Sequence, residues 1–214
     1  MTFKQIYEEV IWNLNKTQRG TIPTDAGLIA GAKGWVNSCQ REICRQHNFS
    51  FLQSTNADIY TVNGTQSYSL PTNFKVFVEK GVIFVDGTTK NTLICWGEDA
   101  ENKYPKTDTK GEPTNYWLWE DKIWLYPIPD AVYTIKTKSY NYLPDLSLDG
   151  DTNKITLKHY QVLIDGACVK GCLWLQEEAS LWEQKYQMGL AEMIRENNRT
   201  VNKDKNIIMK IRVR

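Results

Sequence analysis

The spacing of apolar residues changes twice along this chain of 214 residues. Near both ends it follows the helical interval of about 3.6 residues, and in the middle the strand interval of about 2 residues. This order predicts an α+β fold, in which N- and C-terminal helix pairs form a four-helix scaffold with an inserted antiparallel β domain. The predicted segments are 1–54 (helical pair), 55–148 (β domain), 149–198 (helical pair, packed with 1–54) and 199–214 (extended tail).

Capping signals locate the first two helices. Thr2 opens a capping box, and the apolar positions after it predict a first helix that runs to about Lys16. Thr24 or Asp25 is the predicted cap of a second helix, which reaches about His47.

Three glycines interrupt the second helix, and each weakens it by up to about 1 kcal/mol relative to alanine. Their presence indicates that a neighbouring backbone packs very close, either in the same chain or in another subunit. The candidate oligomer interface is therefore Gly27, Gly31 and Gly34.

Turn signals divide the β domain. Asn63–Gly64 predicts a hairpin between Ile59–Val62 and Gln66–Leu70. A second strand pair is predicted around Asp86–Gly87, with Val82–Val85 before the turn and Leu93–Trp96 after it. A three-stranded meander is predicted to follow, with strands at Tyr116–Trp119, Ile123–Tyr126 and Val132–Tyr142.

The first two strands of that meander are apolar on both faces, because aromatic and aliphatic residues alternate along them. One face then needs cover from another sheet, from the helices or from another subunit. A ligand platform is the alternative. The candidate contact face consists of Trp117, Trp119, Trp124 and Tyr126.

The helical interval returns after Asp149, with Thr156 as the predicted cap. A last helix is predicted from about Glu178 to Asn197, with these residues on and around one face: Leu181, Trp182, Lys185, Met188, Leu190 and Ile194. The final residues alternate apolar and basic side chains, which predicts a strand without a local partner. Such a strand adds to the edge of a sheet in a neighbouring protein, unless it is a frayed terminus that happens to alternate. The candidate docking residues are Ile207, Met209, Lys210, Ile211, Arg212, Val213 and Arg214.

Charge and cysteine content limit the function classes. A net charge of +1 argues against a dedicated nucleic-acid binder, which usually carries a strongly basic surface. The five cysteines are an odd number, and the first residues lack the apolar core of a secretory signal, so reduced thiols in a cytosol are expected. No stretch approaches the roughly 18 consecutive apolar residues of a membrane span.

No catalytic or metal site is predicted. The two histidines, His47 and His159, lie outside any nucleophile motif. Cys168 and Cys172 follow His159 at a metal-like spacing, but a structural zinc requires a fourth ligand, and core packing is the favoured interpretation. Three acidic residues of a polar loop are interpreted as a solvated run rather than paired catalytic carboxylates: Glu98, Asp99 and Glu101. No cofactor is expected.

Several segments occur in an order that resembles the head-to-tail connector adaptor proteins of bacteriophages, of the tail-accessory type. They include a Tyr-x-Leu-Pro strand end, a Gly-x-Pro-x-x-Tyr approach, a Leu-Tyr-Pro-x-Pro corner and a Tyr-x-x-x-Pro-x-Leu exit. In this sequence they read 68-YSLPTNF-74, 111-GEPTNYW-117, 123-IWLYPIPDAVYTI-135 and 140-YNYLPDLS-147. The helix exit 44-CRQHNFSFL-52 and the helix 178-EASLWEQKYQMGL-190 extend the resemblance to both ends.

The resemblance implies a structural virion protein that is made in the host cytoplasm and has no catalytic activity. It implies a homo-oligomeric ring, usually of twelve copies, beneath the portal protein and above a downstream tail or nozzle protein. DNA would pass through the ring with transient, non-specific contacts, and no membrane is involved. The polar loop at 97–110 and the basic tail depart from the family pattern. A carbohydrate-binding module that stacks sugars on Trp117, Trp119 and Trp124 is the alternative, and an enzyme comes third.

Overall fold

The computed structural model describes residues 1–14, 16, 18–86, 89–97 and 109–211. The chain forms two compact units, a helical unit of Met1–Phe51 with Leu143–Arg214 and a β unit of Leu52–Tyr142. The helical unit is built from both ends of the chain and the β unit from its middle. The predicted α+β fold with an inserted β region is therefore confirmed.

Five helices make up the described part of the helical unit. Their bounds are α1 Phe3–Asn13, α2 Ala26–Gln46, α3 Lys154–Lys158, α4 Tyr160–Leu175 and α5 Ser180–Ile211. The predicted capping box at Thr2 is present, and Asp25 caps α2 by accepting a hydrogen bond from Leu28 N at 2.7 Å. Thr156 is not a helix cap, because Asn153 caps α3 and the Thr156 hydroxyl closes that capping box from the third helical position.

The C-terminal segment is helical where a strand was predicted. Helix α5 continues through Ile211, and 212–214 lie outside the described residues. A helix satisfies its backbone hydrogen bonds within the segment, whereas a lone strand leaves them without partners. The sequence has no glycine or proline after Gly189, so nothing in it stops the helix.

Helix α4 lies at the centre of the helical unit. Its residues Leu163, Ile164, Ala167 and Cys168 are at most 1% exposed, as expected for a helix that is apolar on most of its circumference. It packs against α1, α2 and α5. Two glycines allow this approach, because a β carbon at Gly166 or Gly171 would collide with side chains of neighbouring helices.

The buried face of α5 agrees with the predicted one only in part, because Leu190 is the one predicted residue among the three that are most buried. Tyr186, Leu190 and Met193 are 5%, 3% and 2% exposed, whereas the predicted Leu181 and Met188 are mostly exposed. The three buried residues are spaced by four and three positions, which keeps them on one side of a helix. Leu181 and Met188 are seven residues apart and therefore share a different face of α5.

Asp165 is a buried carboxyl group within α4, and it is 5% exposed. Burial raises its pKa above the ordinary value, while a hydrogen bond from Gln161 Nε2 (2.9 Å) and the charge of Lys185 act in the opposite direction. The raised pKa means that the protonated carboxyl favours the folded state. Its contribution to the free energy of unfolding is therefore complete below the pKa of this group in the unfolded chain, and it is lost as the pH rises through the pKa in the folded protein.

We expect Asp165→Asn to raise the free energy of unfolding at neutral pH, because the buried charge is removed while an oxygen remains to accept from Gln161. Below the pKa of the unfolded carboxyl the gain should disappear. Urea unfolding at both pH values measures the difference. An equal gain in the free energy of unfolding at both pH values would mean that the gain does not come from removing the ionised carboxyl group.

Nine strands form two sheets in the described part of the β unit. The first sheet has the order β1-β9-β4-β5, with β2 also paired to β9, and the second has the order β3-β8-β7-β6. The strands are β1 Gln53–Thr55, β2 Ile59–Tyr60, β3 Ser67–Ser69, β4 Phe74–Asp86, β5 Thr89–Thr92, β6 Ile94–Cys95, β7 Asn115–Trp119, β8 Lys122–Tyr126 and β9 Thr134–Asn141.

Asn63–Gly64 forms a turn but not the predicted hairpin, because β2 and β3 belong to different sheets. Thr65 N donates to Val62 O at 2.9 Å, as a tight turn requires. The hydroxyl of Tyr68 then accepts from Val62 N and donates to Thr65 O, both at 2.9 Å. These bonds occupy backbone groups next to the turn that a hairpin would use for its own ladder. The chain then continues into the second sheet. The strand pair predicted around Asp86 is present, with Asp86 opposite Thr89 in the β4–β5 pair. Its second strand is Thr89–Thr92 and not the predicted Leu93–Trp96, because Ile94–Cys95 forms β6 in the second sheet.

The predicted meander is wrong in its third strand. Strands β7 and β8 form the expected hairpin, but β9 belongs to the first sheet. Pro127 and Pro129 explain the exit from the second sheet, because neither has a backbone N–H to donate to a strand ladder.

The core of the β unit lies between the two sheets. Tyr116, Ile123 and Leu125 of the second sheet pack in one cluster with Phe84 and Ile135 of the first. The second sheet therefore covers its aliphatic face within the unit, and its tryptophan face points the other way.

Candidate protein-contact surfaces

The β7–β8 hairpin places the predicted tryptophans on one face. Its two turn residues, Glu120 and Asp121, have φ angles of 51° and 55°, which are the positive values of a type I′ turn. In the resulting register Trp117 lies directly opposite Trp124. The turn therefore fixes which side chains share the outer surface of the sheet.

The rings on this surface stack on one another. The ring centroids of Trp117 and Trp124 are 5.9 Å apart with an angle of 19° between planes, and those of Trp96 and Trp117 are 6.5 Å apart at 17°. Trp96 also lies 5.1 Å from Tyr126. We call Trp96, Trp117, Trp119, Trp124 and Tyr126 the aromatic face.

Trp96 is the member of the aromatic face that the sequence prediction missed. It follows β6, which pairs with β7 in parallel, and its N donates to Tyr116 O at 2.9 Å. A parallel partner reached through a long connection leaves no turn signal in the sequence. The alternation of Ile94, Cys95 and Trp96 was the available sign that Trp96 shares a side with Ile94.

The aromatic face combines rigid and exposed parts. Trp117 is 9% exposed because its neighbours cover it, whereas Trp119 is 58% and Ile94 of the adjacent strand 65% exposed. The Trp124 indole N–H donates to Trp119 O at 3.3 Å and ties the hairpin ends together. A rigid base that carries exposed aromatic and aliphatic side chains is typical of protein-contact surfaces. Sugar platforms need open ring faces, and here Trp117 turns its ring toward two other tryptophans.

The α2 glycines have open surroundings. A β carbon at Gly34 would meet no atom within 4 Å, and one at Gly31 would meet first the ring of Trp35, at 3.2 Å. At Gly27 the nearest atom is the capping oxygen of Asp25 at 3.3 Å. Among the residues that the structure describes, no close backbone contact accounts for these glycines, and another subunit is the proposed neighbour.

A groove opens beside the start of α2. Its cavity of 570 Å³ is lined by Ile22, Gly27, Leu28 and Trp174, among others. Ile22 is 70% and Trp174 is 65% exposed, and the Trp174 ring lies 5.8 Å from that of Trp35. The glycine end of α2 is therefore next to exposed apolar side chains.

The other residues that the sequence analysis named as candidate sites are far from the aromatic face along the sequence. Ile207, Met209, Lys210 and Ile211 belong to the end of α5, and Arg212, Val213 and Arg214 lie outside the described residues. Glu98, Asp99 and Glu101 also lie outside them.

Cys168 and Cys172 lie on the buried side of α4 with free thiols. Burial raises the pKa of Cys168, and it raises that of Cys39 to about 12, so both thiols stay protonated at neutral pH. His159 Nε2 lies 4.0 Å from Glu196, and His47 Nε2 lies 3.1 Å from Asn197 Nδ2. Across the described residues, no three side chains of His, Cys, Asp or Glu are grouped to hold a metal.

None of the helices in the described ranges has the length and apolar character needed to cross a membrane. The aromatic face, with Trp119 exposed beside stacked rings, has the composition typical of a protein-contact surface. The family model of the SU10 adaptor protein matches residues 1–206. The chain therefore belongs to the SU10 adaptor protein family, and it is a bacteriophage adaptor of tail assembly. A search of the curated proteins found no match.

Proposed function

We propose that this adaptor forms a closed ring of twelve copies that joins the portal protein to the next tail or nozzle protein. The ring surrounds the path that DNA takes during genome ejection. The observation that carries the proposal is the aromatic face, with Trp119 exposed on a stacked base. Membership of the adaptor family supports the same role.

A ring needs two different complementary surfaces on each subunit, because each copy contacts its two neighbours in a head-to-tail manner. The helical unit offers one of them at the α2 glycines and the adjoining groove. Open space at Gly34 permits another helix to approach closely. We therefore assign the subunit contact to the helical unit and the aromatic face to the next virion protein.

The net charge suits a channel through which DNA slides. A charge of +1 neutralises few phosphates, so few counterions are released on contact and duplex DNA is held weakly. The end of α5 and the basic residues after it are the proposed docking segment for portal or neighbouring subunit. The end of α5 would dock as a helix rather than as an added strand.

Negative-stain microscopy and native mass measurement of the purified protein, alone and mixed with its portal, test the proposal. Rings that bind the portal are expected. A protein that stays monomeric with and without portal would contradict the proposal. Glycan-array binding by that monomer would favour a carbohydrate-binding module instead.

Replacing Gly34 by leucine is expected to block ring assembly and leave the isolated chain folded. A β carbon at Gly34 meets no described atom of its own chain within 4 Å, so the added side chain is expected to disturb a neighbouring subunit rather than the fold. Native mass measurement reports assembly, and circular dichroism reports the fold. Gly150→Leu is the matched control, since a β carbon at Gly150 also meets no atom within 4 Å. Normal ring yield from Gly34→Leu would remove these glycines from the interface.

A further inference from the structure

A second groove of the helical unit lies between the exit of α2, helix α3 and helix α5. Its cavity of 370 Å³ is large enough for one or two bulky side chains. The apolar lining comes from Phe49, Phe51, Leu157 and Met193. Leu157 is 60% exposed, so an apolar side chain projects into water beside the cavity.

Hydrogen bonds and ring contacts hold the walls of this groove in place. Asn197 Oδ1 accepts from Ser50 N at 2.8 Å, which ties the segment after α2 to α5. The rings of Phe49 and Phe51 stack at 5.0 Å with an angle of 11° between planes. Phe49 is completely buried and thus anchors Phe51 at the groove. The groove is therefore a preformed feature, which lowers the ordering cost of binding.

Two lysines stand on one rim. Lys154 and Lys158 are exposed, line the groove and are four residues apart, which places them on the same side of α3. Neither forms an ion pair with any residue that the structure describes. On the opposite wall Glu196 faces His159, whose Nε2 is 4.0 Å away.

We propose that this groove binds an acidic peptide segment with one bulky apolar side chain, contributed by a neighbouring virion protein. The apolar side chain fills the cavity against Phe51, Leu157 and Met193. Flanking carboxylates meet Lys154 and Lys158, which supply the charge complementarity. The proposal rests on the proposed function only in the source of the peptide.

The groove chemistry separates this occupant from two others. The chain's own C-terminal segment, 207–214, is basic and would place like charges beside the lysines. Duplex DNA would meet the two lysines, but it has no apolar side chain to fill the cavity. A peptide that has carboxylates on both sides of one bulky apolar side chain uses both the lysine rim and the apolar cavity.

The test uses a short fluorescein-labelled peptide in which one phenylalanine is flanked on both sides by aspartates, and it measures binding to the full chain by fluorescence anisotropy. The double variant Lys154→Glu with Lys158→Glu is expected to lose at least about tenfold in affinity. Leu157→Asp is expected to lose as much. Lys154→Arg with Lys158→Arg keeps the charge and should bind like the natural chain.

Two controls separate the site from bulk charge. Lys90→Glu with Lys122→Glu makes the same change in net charge on the β unit and should leave binding unchanged. A peptide with glycine in place of phenylalanine should bind at least about tenfold more weakly, since the apolar contact is lost. Circular dichroism confirms that each variant is folded.

The proposal is overturned if the natural chain does not bind the peptide, or if the Lys154 and Lys158 reversal leaves its binding unchanged. It is also overturned if the glycine peptide binds equally well. A duplex DNA fragment that binds at these lysines when the peptide does not would assign the rim to phosphate. Ring formation is measured separately by native mass, so failure of the peptide site and failure of the ring are distinguishable.

Discussion

Replacing Gly166 by leucine is expected to lower the free energy of unfolding by at least about 3 kcal/mol, a large part of the stability of an ordinary domain. A β carbon at this position would lie 2.9 Å from two ring atoms of Tyr186 and closer still to the sulfur of Cys39. All three residues are in the packed centre of the helical unit, where α4 contacts α2 and α5. Helices α2 and α5 would have to move away from α4.

Urea unfolding followed by circular dichroism measures this loss. Gly34→Ala is the control, because its β carbon meets no atom within 4 Å. Alanine there should raise the free energy of unfolding by about 0.5–1 kcal/mol through helix propensity. A Gly166→Leu chain as stable as the natural one would mean that α4 does not pack as closely as described.

Replacing Trp119 by alanine is expected to weaken binding of the next virion protein about thirtyfold, which corresponds to about 2 kcal/mol. Trp119 is 58% exposed at the edge of the aromatic face, so its ring is available to a partner. Its removal should leave the stability of the chain almost unchanged. Its carbonyl group remains to accept from the Trp124 indole.

Binding of purified rings to portal and to the downstream tail protein, measured by sedimentation, checks this prediction. Trp117→Ala is the informative contrast. That ring is 9% exposed and stacks on two others, so its removal should reduce stability as well as binding. If Trp119→Ala rings bind both partners normally, the aromatic face has another role.

The elements that sequence predicted correctly are those specified by local signals. Thr2 and Asp25 are helix caps with hydrogen bonds to nearby residues, and both are present. The β7–β8 hairpin depends on a tight turn between adjacent strands and is also present. A cap or a tight turn involves only a few neighbouring residues, so their side chains determine it.

The assignment of strands to sheets could not be predicted in the same way. Strands β2 and β3 are separated by an Asn-Gly turn yet lie in different sheets. Strand β9 pairs with β1, β2 and β4, which come much earlier in the chain. Such pairings depend on the packing of two faces against each other, and hydrophobic alternation is the same whichever sheet a strand joins.

The candidate surfaces were also predictable where they depend on local patterns and not where they depend on distant segments. Trp117, Trp119, Trp124 and Tyr126 share a face because strand alternation places them there, and the sequence predicted that face. Trp96 joins them only through a parallel partner. The groove at Lys154 and Lys158 was missed because it unites three segments that are about 100 and about 40 residues apart in sequence. Contact between distant segments leaves no periodic pattern in the sequence.

Strand β1 and the end of β9 carry the chain into and out of the β unit, and they pair with Gln53 opposite Tyr140. Paired residues of antiparallel strands have Cα atoms roughly 4.5–5.5 Å apart. Entry and exit are therefore adjacent, so a different β domain with neighbouring ends can replace this one without altering the path of the helices. The surface that the β unit presents could thus vary while the helical unit is kept.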